Sequence, residues 1–268
     1  MGLTTSRALL LSALAAFGAS AADSHERGLA VDLELVIAVD VSASMDQGEF
    51  LLQRTGYAQA IGHPDFIRAV RSGFNQRIAI TYVEWSSGGL QKIIVPWRLI
   101  DGVEAAGAFA QELERQPIIS SRGTSISAAL TFGAGLFDAN GFDGRRKAID
   151  VSGDGPNNSG PPVGAARDSV LEQGIVINGL PILIRPSPIF PAMDRYYAEC
   201  VIGGPGSFVL PVHKTEEFAT AIRRKLILEI AARPQRRIVP IAGSEPVDCL
   251  IGEKVRDLRA PHFPGLND

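Results

Sequence analysis

The stretch LVIAVDVSAS, residues 35–44, decides the fold. Leu35 to Val39 are apolar without alternation, which is the pattern of a strand covered on both faces, as in a parallel sheet. Asp40, Ser42 and Ser44 then follow at once. In an open parallel sheet, ligands sit beyond the carboxyl ends of the strands, so a run of oxygen-bearing side chains at that point marks a candidate site.

Outward from this strand, apolar runs of strand length alternate with helical periodicities. Helices are expected over Asp46–Ile61 and Pro64–Val70, and two strands over Arg77–Trp85 and Leu90–Val95 joined in a hairpin through Ser86-Ser87-Gly88-Gly89. A helix over Asp101–Gln116 carries Asp101 and Glu104 in a capping-box arrangement and turns Val103, Ala106, Ala110 and Leu113 to one side. Helices are also expected over Ser125–Ala139, Val163–Gln173 and Met193–Cys200, and strands over Lys147–Ser152, Ile175–Leu183 and Ser207–Val212. The last helix, Thr215–Ala232, has Thr215 as its cap, Glu216 and Glu217 at its positive end, and an apolar side of Phe218, Ile222, Leu226 and Ile230. The expected fold is therefore α/β: a doubly wound, mostly parallel sheet with one antiparallel edge strand and helices on both faces. The pattern occupies residues 31–232, and residues 233–268, rich in Pro, Gly and charge, read as an irregular tail.

Three strand-end loops supply hard oxygens: Asp40-Val41-Ser42-Ala43-Ser44, Ser120 to Ser125 with Thr124, and Ser152-Gly153-Asp154-Gly155. Hydroxyls and carboxylates suit Mg2+ or Mn2+ and suit soft metals poorly. Plainer explanations exist for each loop. Asp40, Ser42 and Ser44 could cap the helix beginning near Asp46, Thr124 could cap the next one, and Asp154-Gly155 could be an ordinary turn. Asn157, Asn158 and Ser159 either shape the rim of the site or simply form its loop. Asp150, inside an expected strand, is read as facing a polar seam rather than as functional.

Taken together, Asp40-x-Ser42-x-Ser44, Thr124 and Asp154-Gly155 resemble the metal-ion-dependent adhesion site of von Willebrand factor A domains, in order and in placement on the elements. The sequence is similar to exported bacterial proteins carrying a single such domain. The resemblance implies Ser42, Ser44 and Thr124 as ligands of a divalent cation, with Asp40 and Asp154 holding it directly or through water. It also implies a last helix, here Thr215–Ala232, that shifts when the metal gains an acidic ligand. A shell rich in neutral hydroxyls leaves the ion poorly neutralised, so it favours capture of an acidic group from a protein or surface partner.

The alternative is a Mg2+-dependent phosphoryl hydrolase with Asp40 as nucleophile. Such enzymes place a second Asp two residues on, where this chain has Ser42, and a phosphate-clamping Lys near the third loop, which is missing. No Gly-x-Ser-x-Gly elbow pairs with a histidine, and the four histidines show no metal-ligand spacing, so a non-enzymatic role is expected.

With 26 basic and 29 acidic residues and a net charge of −3, the 268-residue chain lacks the basic bias of a nucleic-acid binder. Arg7, the apolar run Ala8–Phe17 and Ala19-Ser20-Ala21 read as a signal peptide over residues 1–21, which places the mature protein in a periplasm or outside the cell, without a membrane span. In that compartment Cys200 and Cys249 are candidates for a disulfide, closing a loop of about 50 residues with a stabilisation of ~4 kcal/mol.

Overall fold

The computed structural model describes residues 28–186, 190–231 and 246–259. The expected signal peptide and most of the segment between the last expected helix and Cys249 lie outside the described residues.

The central strand is β2, Glu34–Asp40, buried along its whole length. It pairs in parallel with β3, Ile78–Trp85, on one side and with β6, Lys147–Gly153, on the other. The edges are β4, Gln91–Ile100, antiparallel to β3, and β7, Val176–Pro181, parallel to β6. The order β4-β3-β2-β6-β7 gives a five-stranded sheet with one antiparallel edge. Edge position explains how β4 tolerates Pro96, which lacks an amide hydrogen; the register slips opposite it, between Ile80 and Tyr82. A second, two-stranded parallel sheet pairs β1, Leu29–Val31, with β5, Phe142–Gly144.

The unbroken apolar run of β2 divides between two cores. Leu35, Ile37 and Val39 face α1 (Gln47–Gly62), α2 (Pro64–Arg71), α3 (Val103–Arg115) and α7 (Phe218–Ala231). Val36 and Ala38 face α4 (Ile126–Gly135), α5 (Val163–Glu172) and the short α6 (Met193–Tyr196), which runs into a π-helical turn at Tyr197–Val201. The chain leaves β2 toward β3 in one direction and reaches β6 on the other side, so the topological switch lies between the carboxyl ends of β2 and β6.

Several expectations need correction. Asp101 does not cap α3: β4 runs on to Ile100, and Gly102 occupies the cap with extended backbone and no side-chain bond. Thr215 is not a cap either; it opens a 3-10 turn, Thr215–Glu217, ahead of α7. Ser207–Val212 forms isolated bridges to β7, Val209 with Gly179 and Val212 with Ile182, rather than a strand. The tail expected to be irregular carries an eighth helix, α8, Ile251–Arg259. The sulfurs of Cys200 and Cys249 are bonded, tying the residues before α8 to the π-helical turn.

Asp150 faces α7. Lys225, itself fully buried, lies 2.8 Å from Asp150 and 2.9 Å from Glu229, and Asn178 donates to Glu229 at 2.6 Å. Removing one partner from such a cluster leaves an uncompensated buried charge, which typically destabilises by ~3–5 kcal/mol. The cluster therefore fixes α7 to β6 and β7.

Burial pushes the Asp150 carboxyl up to about 7; Lys225 pulls against the shift and Glu229 adds to it. Because this lies above the unfolded value, the stabilising contribution is complete below the ordinary carboxylate range and is lost as pH rises through about 7. In EDTA, urea titrations should show wild type losing stability relative to Asp150→Asn across that window, by at most about 1.4 kcal/mol per pH unit. Parallel stability curves would assign the titration elsewhere.

Candidate metal centre

The carboxyl end of β2 delivers Asp40 into the interior at the switch point. Its Oδ1 accepts from the Ser42 amide at 2.7 Å, and its Oδ2 is buried without a hydrogen-bond partner among the described residues. The Ser42 and Ser44 hydroxyls lie 3.0 Å apart, and Ser44 Oγ donates to Asp154 Oδ1 at 2.7 Å. The first loop thus meets the third.

The remaining connections close a ring. Ser42 bridges Ser121, and the Ala43 amide donates to the Ser121 carbonyl at 3.0 Å, joining the first loop to the second. The Thr124 amide donates to Asn158 Oδ1 at 2.9 Å and the Thr124 carbonyl accepts from the Asn158 amide at 2.8 Å, joining the second to the third. Asn157, fully buried, accepts from the Ser127 amide at 3.0 Å. Asn157 and Asn158 therefore hold the loops together, a role that their sequence position alone did not distinguish from ordinary turn formation.

Helix capping does not use the candidate oxygens. Asp46 caps α1 in a reciprocal box with Glu49, both bonds at 2.9 Å, and Ser125 caps α4 through the Ala128 amide. Asp40, Ser42, Ser44 and Thr124 are left out of the capping bonds, and Ser44 instead reaches Asp154 on the third loop. Gly153 permits this approach: a Cβ there would lie 2.8 Å from Asp40 Oδ2 and 2.9 Å from the Tyr197 hydroxyl.

Both carboxyls of the site are shifted upward. Burial pushes the Asp40 carboxyl well above its ordinary range, repulsion by Asp154 adds to this, and the Ser42 bonds oppose it. Asp154 is raised by burial, with Ser44 pulling back and Glu49 pushing up. Two carboxylates and three hydroxyls are the groups here that could hold a hard cation with oxygen preference. Among the described residues no group of three or more His, Cys, Asp or Glu side chains is placed to hold a metal.

The centre opens into a cleft of about 820 Å3 whose lining includes Ser44, Thr124 and Asp154 together with Arg122 and, from α8, Ile251 and Val255. Sequence reading missed α8 as part of this site. It also missed Tyr196, whose hydroxyl accepts from the Asn157 amide at 3.1 Å and so supports the third loop as well as packing in the core.

This sheet order, with one antiparallel edge and helices on both faces, is an α/β fold like that of von Willebrand factor A domains. The chain belongs to the family described as protein of unknown function (DUF1194), whose profile matches residues 30–234. Among solved structures, it resembles proximal thread matrix protein 1 of the mussel byssus, with TM-score 0.57, 16% identity, and coverage of 76% of this chain and 49% of that one. A second structure of the mussel protein is described as having a zinc-occupied MIDAS motif. The chain also resembles the pilus adhesin SpaC of Lactobacillus rhamnosus GG, with TM-score 0.55, 13% identity, and coverage of 76% and 31%.. A von Willebrand factor type A protein from Catenulispora acidiphila gives TM-score 0.51, 16% identity, and coverage of 75% and 43%. The chain thus spans about half of the mussel protein and about a third of the adhesin. At these identities the likeness establishes the fold. No curated protein sequence matches the chain.

Gly153→Ala should destabilise the protein by ~1–3 kcal/mol in urea melts, since Asp40 or Tyr197 must move. Gly155→Ala should be milder, because its Cβ would meet Thr124 Oγ1 at an ordinary 3.6 Å. Equal effects at the two positions would mean that Asp40 is less tightly confined than its surroundings require.

Proposed function

We propose that the protein is a divalent-cation-dependent binding module that captures an acidic group on a protein or surface ligand. The observation that carries this reading is the release of Asp40, Ser42, Ser44 and Thr124 from capping duty, combined with a buried Asp40 oxygen that lacks a hydrogen-bond partner among the described residues. Ser42, Ser44 and Thr124 would offer hydroxyl oxygens to Mg2+ or Mn2+, and Asp40 and Asp154 would hold the ion directly or through water. The ion would supply an electrophilic position for an anionic oxygen of the partner.

The hydrolase alternative gains no support. Asp40 is fully buried, with one oxygen engaged by the Ser42 amide, and is poorly placed to attack a phosphoryl group. Export to a periplasm or beyond is part of the proposal: residues 1–21 read as a signal peptide, and the Cys200–Cys249 bond suits an oxidising compartment. No helix of the described residues is long and apolar enough to cross a membrane.

Saturating Mg2+ or Mn2+ should raise thermal stability, by about 2.7 kcal/mol at one hundred times Kd. Asp40→Asn should abolish that gain while leaving the metal-free protein folded, because the side-chain amide keeps an oxygen to accept the Ser42 amide bond. A variant that still responds to Mg2+ like wild type would show that the ion binds elsewhere. Capture of partners from extract should fail in EDTA and return with Mg2+.

A further inference from the structure

We infer that α8 is a ligand-selecting wall of the metal cleft, and that the cleft takes an extended peptide segment in which acidic and aliphatic residues alternate. The inference rests on the proposed cation site and adds to it a second anion position and an apolar one.

Helix α8 and the third loop are built as one unit. A Cβ at Gly252 would lie 2.0 Å from the Asn157 carbonyl oxygen, so the helix backbone is seated directly on the loop. Asn157 Nδ2 donates to Glu253 at 2.7 Å, and Arg256 donates to the Asn158 carbonyl at 3.0 Å. Asn158 in turn holds the Thr124 amide. Upstream, the Cys249–Cys200 bond and a 2.7 Å bond from the Val247 amide to Glu199 anchor the approach to the helix. The wall therefore connects to a proposed cation ligand through one asparagine.

The surface that this wall presents to the cleft sets two aliphatic side chains beside the Arg256 guanidinium. Ile251 and Val255 are one turn apart and both line it. Leu258 continues the same stripe and is 86% exposed, so apolar surface runs on beyond the cleft. Arg122 lines the cleft too, exposed and without a hydrogen bond or ion pair among the described residues. Arg185 and Arg256 also line it, but these pair with Glu49 and Asp257. A dication would be balanced by Asp40 and Asp154, and Arg185 is already engaged by Asp46 and Glu49, so among the described residues Arg122 is the cleft arginine left to receive an anionic group. One acidic group on the ion and a second on Arg122, with an aliphatic side chain against Ile251 and Val255, satisfy all three features. A cleft of about 820 Å3 falls among volumes that enclose small ligands of ~300–1,000 Å3, and differs from the broad, flat patches that join globular proteins.

The test uses the full chain and a fluorescein-labelled pentapeptide of alternating leucine and glutamate, read by anisotropy, alongside Mg2+-dependent melting. Wild type should bind the peptide in Mg2+ and not in EDTA, and should not bind the counterpart with glutamine in place of glutamate. Arg122→Ala and, separately, Val255→Asp should each weaken peptide binding at least tenfold while the Mg2+-dependent rise in melting temperature persists. Arg122 is exposed and unpaired, so its variant will fold whatever happens at α8. If the Mg2+ response is intact but wild type ignores the peptide, or both variants bind it as wild type does, the wall inference is overturned and the cation site stands. If wild type shows no Mg2+ response, the cation site fails and the inference falls with it.

Discussion

A carboxylate taken out of water with only part of its hydrogen-bonding satisfied is the constraint around which this molecule is arranged. Asp40 sits at the end of the central strand, fully buried, with one oxygen engaged by the Ser42 amide and the other without a partner among the described residues. An isolated buried charge is far too costly to persist, so such a group either takes up a proton or meets a positive charge. The surrounding architecture keeps the second option open. Glycine at 153 clears the space beside it, the strand register aligns β6 so that Asp154 emerges next to it, and the Ser44 hydroxyl bonds to Asp154 across the gap between loops. The apparent defect is thus concentrated where three loops meet and nowhere else along β2.

The loops could not hold this arrangement by themselves, because serine and threonine hydroxyls bond readily to nearby backbone and would relax into caps or turns. Two features prevent it. Dedicated caps at Asp46 and Ser125 satisfy the helix ends, and asparagines 157 and 158 clamp the second loop to the third. Pre-organisation here comes from neutral amide hydrogen bonds, which brace the loops without adding charge that would compete for a cation. The same economy appears on the opposite face of the sheet. There Lys225 pairs with both Asp150 and Glu229, and Asn178 adds a hydrogen bond to Glu229, so each charged group of the cluster meets a partner.

Much of this was legible in the sequence, for identifiable reasons. The unbroken run Leu35–Val39 can only be a doubly covered strand, and oxygen-bearing residues directly after it are conspicuous because they interrupt apolar sequence. The parts that were not legible depend on distant partners. Lys225 looks like the polar side of an amphipathic helix until Asp150 is brought against it. Asp101 and Glu104 have the spacing of a capping box, but continued pairing of β4 through Ile100 moves the cap to Gly102. In α8 the segment Ile251–Arg259 is rich in helix-forming Glu, Lys, Arg and Leu, but its short length and the Pro- and Gly-rich sequence around it hid the helix; close approach to the Asn157 carbonyl is what requires Gly252. Strand pairing between Leu29–Val31 and Phe142–Gly144 is too short to leave a periodic signature.

The placement of α8 and of the lysine cluster bears on whether the domain can switch in the way its fold class suggests. A last helix that travels when ligand binds must break its contacts with the sheet and remake them. For α7 this would separate Lys225 from Asp150 in a buried environment, where the loss of one partner is far more expensive than at a surface. The disulfide does not act on α7; it ties the approach to α8 to the π-helical turn on the other face, beside the third loop. The two C-terminal helices are thus held by different means to opposite faces, one by compensated charge and the other by a covalent bond and backbone contact. Rigidity on both sides favours a site whose selectivity is built into its walls over one whose affinity is set by helix displacement.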